Sequence, residues 1–249
     1  MNVTRVPFDQ LRRPQADIVE LAPGFLLTLK DAGDMGPSGV YAGFRDDYLG
    51  RLGVPPNGYR TVRQVHSRTV VDWDDIPAVD APRSAAVAPE ADGILFDMRS
   101  RWAAVTAADC MPVLVEHPES GLAAILHSGW KGTGIVTQAV ERLCERSGAR
   151  PAELRVVLGP AISVQAYAVP EERARLFARR FGVQCAVRRE EQWYIDLEAA
   201  NIGLLEHMNV GHVRVVSSCT AQNPSLASYR RDGRDGFVRM LAVAGPFRR

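Results

Sequence analysis

Two apolar runs, WAAVTAADCMPVLVEH (102–117) and LAAILHSGW (122–130), flank the four residues Pro118, Glu119, Ser120 and Gly121. A short turn-forming set between two runs of strand character predicts an antiparallel hairpin. If His117 and Leu122 close it, His127 stands opposite Pro112. Side chains alternate between the faces of a strand, so Cys110, Pro112 and His127 share one face. Diagonal neighbours on one face lie ~7 to 8 Å apart at Cα, within joint reach of a single ion. The parity survives a slip of two residues. A thiol and an imidazole are thereby expected at one spot, while His117, at the turn itself, reads as a solvated surface histidine.

The remaining pattern predicts strands over 61–73, 93–97, 102–108, 112–117, 121–128, 154–158 and 212–217. Helices fit 135–147, 171–181 and 196–208, the last opening on Asp196, a good N-cap. The Pro/Ala-rich stretch 77–91 reads as an exposed loop. Strands dominate the first half, and helices alternate with strands in the second. The expectation is α+β: one layered domain over 1–249, with mixed sheets flanked by helices.

Composition narrows the class of function. The 249 residues carry a formal net charge of +1, so no overall field favours nucleic acid or an anionic membrane. No apolar stretch approaches the ~18 to 20 residues of a membrane span, and the N-terminus lacks a signal-peptide pattern. A cytoplasmic protein is expected; a monomer is one possibility for its assembly, which the sequence leaves open. The four cysteines contain no CxxC pair and suggest no disulfide framework. Cys144 falls at helical spacing with Val140 and Leu143 and reads as packing. Lys30 and Lys131 are the only lysines in the chain, which makes a lysine inside the turn KGTG (131–134) informative.

The segments RQVHS (63–67), ADGILFD (91–97), TAADCMPVLV (106–115), LHSGWKGTG (126–134), LGPAI (158–162) and SYRRDG (228–233) occur in an order that resembles the YfiH/DUF152 family. That family has been labelled multicopper polyphenol oxidase (laccase domain) and peptidoglycan editing factor. The resemblance implies a fold similar to cysteine-based toxin deamidases and a Zn²⁺ ion held by His66, Cys110 and His127. Two imidazoles and a thiolate suit zinc, and three protein ligands leave a fourth position open. The resemblance also implies purine nucleoside phosphorylase activity on adenosine, inosine, guanosine or methylthioadenosine, with adenosine deamination beside it. Its partners are then a small nucleoside and phosphate.

Around that centre, Asp109 reads as a general acid/base, as a residue that holds a ligand in place, or as an ordinary turn aspartate. Gln64 can orient the His66 loop through its amide. Trp130 reads either as a stacking surface for a base or as a structural indole. Lys131, the KGTG turn and the start of the following helix suggest an anion cradle, to which Arg230 and Arg231 can add bidentate contacts or, alternatively, serve as ion-paired surface groups.

Two alternatives stand beside this reading. Cys110 can be the nucleophile and His127 the base of an amide hydrolase that edits peptidoglycan precursors. The chain can also be a degenerate member that binds zinc without turnover, since the stretch 34–53 lacks the SLN triplet usual in the family. Multicopper oxidation is disfavoured by ligand count: the chain has five histidines and no HxH pair.

Overall fold

A computed structural model of the chain describes residues 1–36, 40–55, 57–77 and 88–247. The first part runs through β1 (Asn2–Pro7), β2 (Ile18–Ala22), β3 (Phe25–Thr28), α1 (Val40–Arg51), β4 (Tyr59–Arg60) and β5 (Val70–Asp72). The centre holds β6 (Gly93–Asp97), β7 (Trp102–Ala107), β8 (Met111–Glu116), β9 (Leu122–Ser128) and α2 (Ile135–Ser147). Then come β10 (Arg155–Leu158), β11 (Ala168–Val169), α3 (Glu171–Phe181), β12 (Ala186–Arg189) and β13 (Gln192–Ile195). The chain closes with α4 (Leu197–His207), β14 (His212–Ser217), α5 (Tyr229–Gly236) and β15 (Met240–Ala244). The fold is α+β with mixed sheets, as expected.

A seven-stranded sheet of order β1-β14-β10-β8-β9-β6-β5 packs on a five-stranded sheet of order β2-β3-β15-β7-β4. Strand alternation distributes the apolar residues between layers. From β9, Ala123 and Ile125 point into the space between the sheets, meeting Leu27, Val105 and Ala242. Ala124 and Leu126 point the other way, onto Ile135, Ala139 and Leu143 of α2. The outer face of the five-stranded sheet buries Ile18, Ala104 and Leu241 against Tyr48 and Leu49 of α1. The hairpin strands are therefore apolar on both faces, because each face meets a different layer.

The helices follow from local chemistry. In α2, the buried residues Ile135, Val136, Ala139, Val140 and Leu143 recur at helical spacing. The helix ends at Gly148, whose positive φ lets its N–H close back on the Cys144 carbonyl. The Asp196 carboxylate accepts from the Ala199 N–H and starts α4.

Three expectations need correction. The segment 61–73 is not one strand: only Val70–Asp72 forms a sheet strand within it, and residues 65–67 are held by a carboxylate described below. His117 is buried rather than solvated, at 8% exposure, with Nδ1 2.9 Å from the Ser120 hydroxyl. A third sheet, β11-β13-β12, and the helices α1 and α5 were not anticipated. Of the loop expected over 77–91, residues 78–87 lie outside the described residues.

Ile125 is fully buried between the two sheets. Ile125→Ala is expected to cost about 3 kcal/mol of stability, by loss of apolar transfer and by the cavity left behind. Leu176→Ala, at an exposed position of α3, is expected to stay within about 0.5 kcal/mol. Urea unfolding of the two variants checks both; equal midpoints would contradict the packing described.

Candidate metal centre

The hairpin has the expected register: Pro112 pairs with His127 and Glu116 with Ala123, and the His117 N–H meets the Leu122 carbonyl at 2.9 Å. Strand β7 belongs to the five-stranded sheet and β8 to the seven-stranded one, so the chain crosses between sheets at 108–110. Asp109 makes that corner with a left-handed φ of 81° and delivers Cys110 to the seam. His127 enters from β9, and His66 from the loop between β4 and β5. One ligand atom from each of His66, Cys110 and His127 lies within 4.8 Å of the others. The two imidazoles meet edge to face with ring centroids 4.9 Å apart. His127 is 4% exposed, while His66 faces solvent.

Asp92, immediately before β6, organises the two histidines. Its carboxylate is wholly buried and accepts from the backbone N–H of Val65 (3.2 Å), His66 (3.0 Å) and Ser67 (2.6 Å) and from the Ser67 hydroxyl (2.8 Å). Its Oδ1 lies 2.9 Å from Nδ1 of His127, and its carbonyl takes the His127 N–H at 2.7 Å. Burial works against the charge, but the hydrogen bonds from His127 and Ser67 outweigh it and hold the carboxyl below its usual range. An ionised carboxylate only accepts, so Nδ1 of His127 carries a proton and Nε2 is the atom left to face Cys110 and to take a ligand bond once its own proton leaves.

The next layer is steric. A Cβ on Gly129 would sit 2.5 Å from Cys110 Sγ, and one on Gly132 would sit 2.7 Å from the Ser67 carbonyl. The glycines of HSGWKGTG therefore let the turn lie directly on the Cys110 sulfur and the His66 loop. The Thr133 hydroxyl locks the turn through the Gly129 carbonyl at 2.8 Å. Gln64 spends its whole amide on Thr106, with Nε2 on the Thr106 carbonyl (2.8 Å) and Oε1 on its N–H (2.7 Å). It anchors the His66 loop to β7 rather than facing a ligand.

In the metal-free chain, burial pushes the Cys110 thiol up. The charge on His127, with hydrogen bonds from His127 and His66, more than reverses this and leaves the thiol below its ordinary range. Burial likewise presses His127 toward neutrality; Cys110 and Asp92 overturn it and raise the ring. The sulfur is thus held as a thiolate, the form that binds a metal. Two nitrogens and one sulfur around a tetrahedral zinc would stand about 3.5 Å apart. The cluster comes close to that spacing, so the donor set fits Zn²⁺.

The other expected residues divide. Asp109 is 9% exposed and accepts from the Thr220 hydroxyl and the Arg230 N–H, each at 2.6 Å, so it braces the corner that carries Cys110. Arg231 is committed internally, to Asp232 and to the carbonyls of Thr220, Asn223 and Leu226. Arg230 is exposed, with Nη2 on the Ala168 carbonyl at 2.8 Å. Trp130 is half-buried, with Lys131 Nζ 5.6 Å and Arg173 Cζ 4.4 Å from its ring centroid. The Thr133, Ile135 and Thr137 N–H groups bond carbonyls of the HSGWKGTG turn itself, and Gly134 opens on a separate cleft of about 460 Å³ beside Arg68. The role of Asp92 was missed; it stood in the motif ADGILFD, but only the folded loop reveals its partners.

The fold and centre define a class: α+β proteins with a cysteine and two histidines gathered at the seam of two sheets. Residues 42–245 match the family model described as multi-copper polyphenol oxidoreductase laccase, and the chain belongs to that family. It is 34% identical over 209 residues to a purine nucleoside phosphorylase of Deinococcus radiodurans, covering 83% of this chain and 74% of the relative. A purine nucleoside phosphorylase of Streptomyces coelicolor is 37% identical over 192 residues, 74% of each chain. Among solved structures, YlmD of Geobacillus stearothermophilus superposes with a TM-score of 0.80 at 25% identity, covering 94% of this chain and 98% of that one. YfiH of Bacillus licheniformis gives a TM-score of 0.78 at 26% identity over 92% of each.

Asp92→Asn tests the tautomer assignment. An amide nitrogen turned toward His127 would move the ring proton to Nε2, the atom needed for metal. Nitrogen NMR of the metal-free variant is expected to show loss of the Nδ1–H form, and zinc affinity to fall roughly 10- to 100-fold. An unchanged tautomer together with unchanged affinity would refute the assignment.

Proposed function

We propose that the chain is a zinc-dependent purine nucleoside phosphorylase, with adenosine deamination as a further activity of the same centre. Two-His, one-Cys geometry with a solvent-facing side carries the reading, and the relatives named purine nucleoside phosphorylase support it. In phosphorolysis a phosphate oxygen bonds to the ribose C1′ as the bond from C1′ to the purine nitrogen breaks. The purine leaves with that electron pair and takes up a proton. His66, Cys110 and His127 would hold the cation, and Asp92 keeps the two imidazoles in place. When bound, zinc supplies Lewis acidity at its open fourth position. A cytoplasmic location belongs to the same proposal: the described cysteines are all free thiols, and no described helix is long and apolar enough to cross a membrane.

One observation favours a second reading. Without metal, Cys110, His127 and Asp92 form the order nucleophile, base and orienting carboxylate of a cysteine hydrolase. His66 supports the metal reading. A hydrolytic triad has no use for a second imidazole turned toward the sulfur, whereas a metal centre requires a third ligand.

Zinc-loaded protein is expected to release adenine or hypoxanthine from purine nucleosides only when phosphate is present, and Cys110→Ala to lose that activity. Iodoacetamide is expected to leave Cys110 unmodified until a chelator is added. Rapid alkylation of the metal-loaded protein, with no nucleoside cleavage, would favour the hydrolase.

A further inference from the structure

The phosphorylase reading needs a place for phosphate, and part of what suggested one from sequence is otherwise engaged. Arg231 is consumed by Asp232 and three carbonyls. In the KGTG turn, the Thr133 N–H is spent on the Gly129 carbonyl. Lys131 and Arg230 remain, and the fold brings Arg173 beside them.

We propose that Arg173, with Lys131 and Arg230, forms a binding site for inorganic phosphate at the rim of the His66–Cys110–His127 centre. The inference rests on the phosphorylase reading and assigns the second substrate to named side chains.

Partner accounting comes first. Two other arginines of the fold are matched with carboxylates, Arg142 with Asp72 and Arg231 with Asp232. Arg173 is half-buried on α3 and laid over Trp130 at 4.4 Å, yet no described carboxylate lies within ion-pairing distance of it. Glu171, in the same helical turn, is taken by Arg175. Lys131 shares the Trp130 ring, again without a described carboxylate partner. Arg230 has one contact to a carbonyl and lies over the Tyr167 ring at 5.6 Å.

Convergence comes second. Trp130 follows Gly129, whose backbone abuts the Cys110 sulfur. The Arg230 N–H is held by Asp109, the residue before Cys110. The two cation–aromatic pairs thus reach the centre from two sides. Tyr167 links them: burial raises its hydroxyl, the Cys110 charge adds to that, and Arg173 and Arg230 both act on it in the opposite sense.

The chemistry favours a compact dianion. Cations without carboxylate partners that gather near one centre repel one another until an anion enters. A guanidinium stacked on an indole keeps its planar edge free, and that fork suits two phosphate oxygens. Lys131 adds a movable point charge.

The test is calorimetric titration of zinc-loaded protein with inorganic phosphate, paired with steady-state kinetics on a purine nucleoside. Arg173→Gln is expected to raise both the phosphate Kd and the phosphate KM at least about tenfold, the scale of a lost hydrogen bond to a charged group. Nucleoside KM, zinc content and melting temperature are expected to stay as in the wild type. Arg175→Gln, two residues along the same helix, serves as the control and is expected to leave phosphate binding unchanged. Arg173→Gln with phosphate Kd and KM within twofold of wild type would overturn the site while leaving the phosphorylase reading intact. Phosphate binding that depends on Arg173, without phosphate-dependent cleavage, would support the site and overturn that reading. Wild-type protein that neither binds nor uses phosphate would overturn both.

Discussion

The structure of the centre depends on one buried charge, the carboxylate of Asp92. Placing an anion at zero exposure is costly unless donors surround it. Here three backbone N–H groups, one hydroxyl and one imidazole N–H do so. The same five bonds join two parts of the chain that share no strand ladder, the loop bearing His66 and the strand bearing His127. A neutral residue of similar shape would leave loop amides unpaired and His127 free to change tautomer. The left-handed backbone of His66, at φ 60°, persists because its own N–H and those on either side are pinned.

Cys110 is positioned by a different device. The step from β7 to β8 is a change of sheet, so the residues between them stand where the two sheets part. Asp109 turns that corner and is fixed by Thr220 and Arg230 from the far end of the sequence. Gly129 then allows the β9 turn to close on the sulfur. Each ligand comes from a different element, and each is held by a contact that does not involve the other two ligands. Such support lets three donor atoms stay close together without a metal to gather them.

What could be read from the sequence divides along the distance over which the signal acts. The register of the β8–β9 hairpin was legible because turn chemistry and two-residue periodicity are local. So were α2, α3 and α4, whose apolar spacing or cap lies within the element. The segment 61–73 misled because its β-favouring composition is overruled by a carboxylate some 25 residues away in sequence. Asp92 had no visible role for the same reason: its partners exist only after the loop folds over it. Arg230 and Arg231 are neighbours of one type, and nothing in SYRRDG separates the one facing the opening from the one absorbed by Asp232. Arg173 looks like any helical surface arginine until Trp130 is placed beneath it.

The charges around the centre alternate with depth, and that ordering bears on its chemistry. Deepest lies the Asp92 carboxylate, then the His127 ring, then the Cys110 thiolate, with Lys131, Arg173 and Arg230 outermost. Each layer stabilises the charge of the next, so the thiolate and the oriented imidazole are prepared before any metal or substrate arrives. The family carries a multi-copper name, but among the described residues one group of three ligands is present. His207 and His212 lie apart from it, on α4 and β14. On the proposed reading, one cation site beside cations without carboxylate partners would serve a nucleoside that meets an anion, a reaction that calls for a single Lewis acid rather than a chain of redox metals.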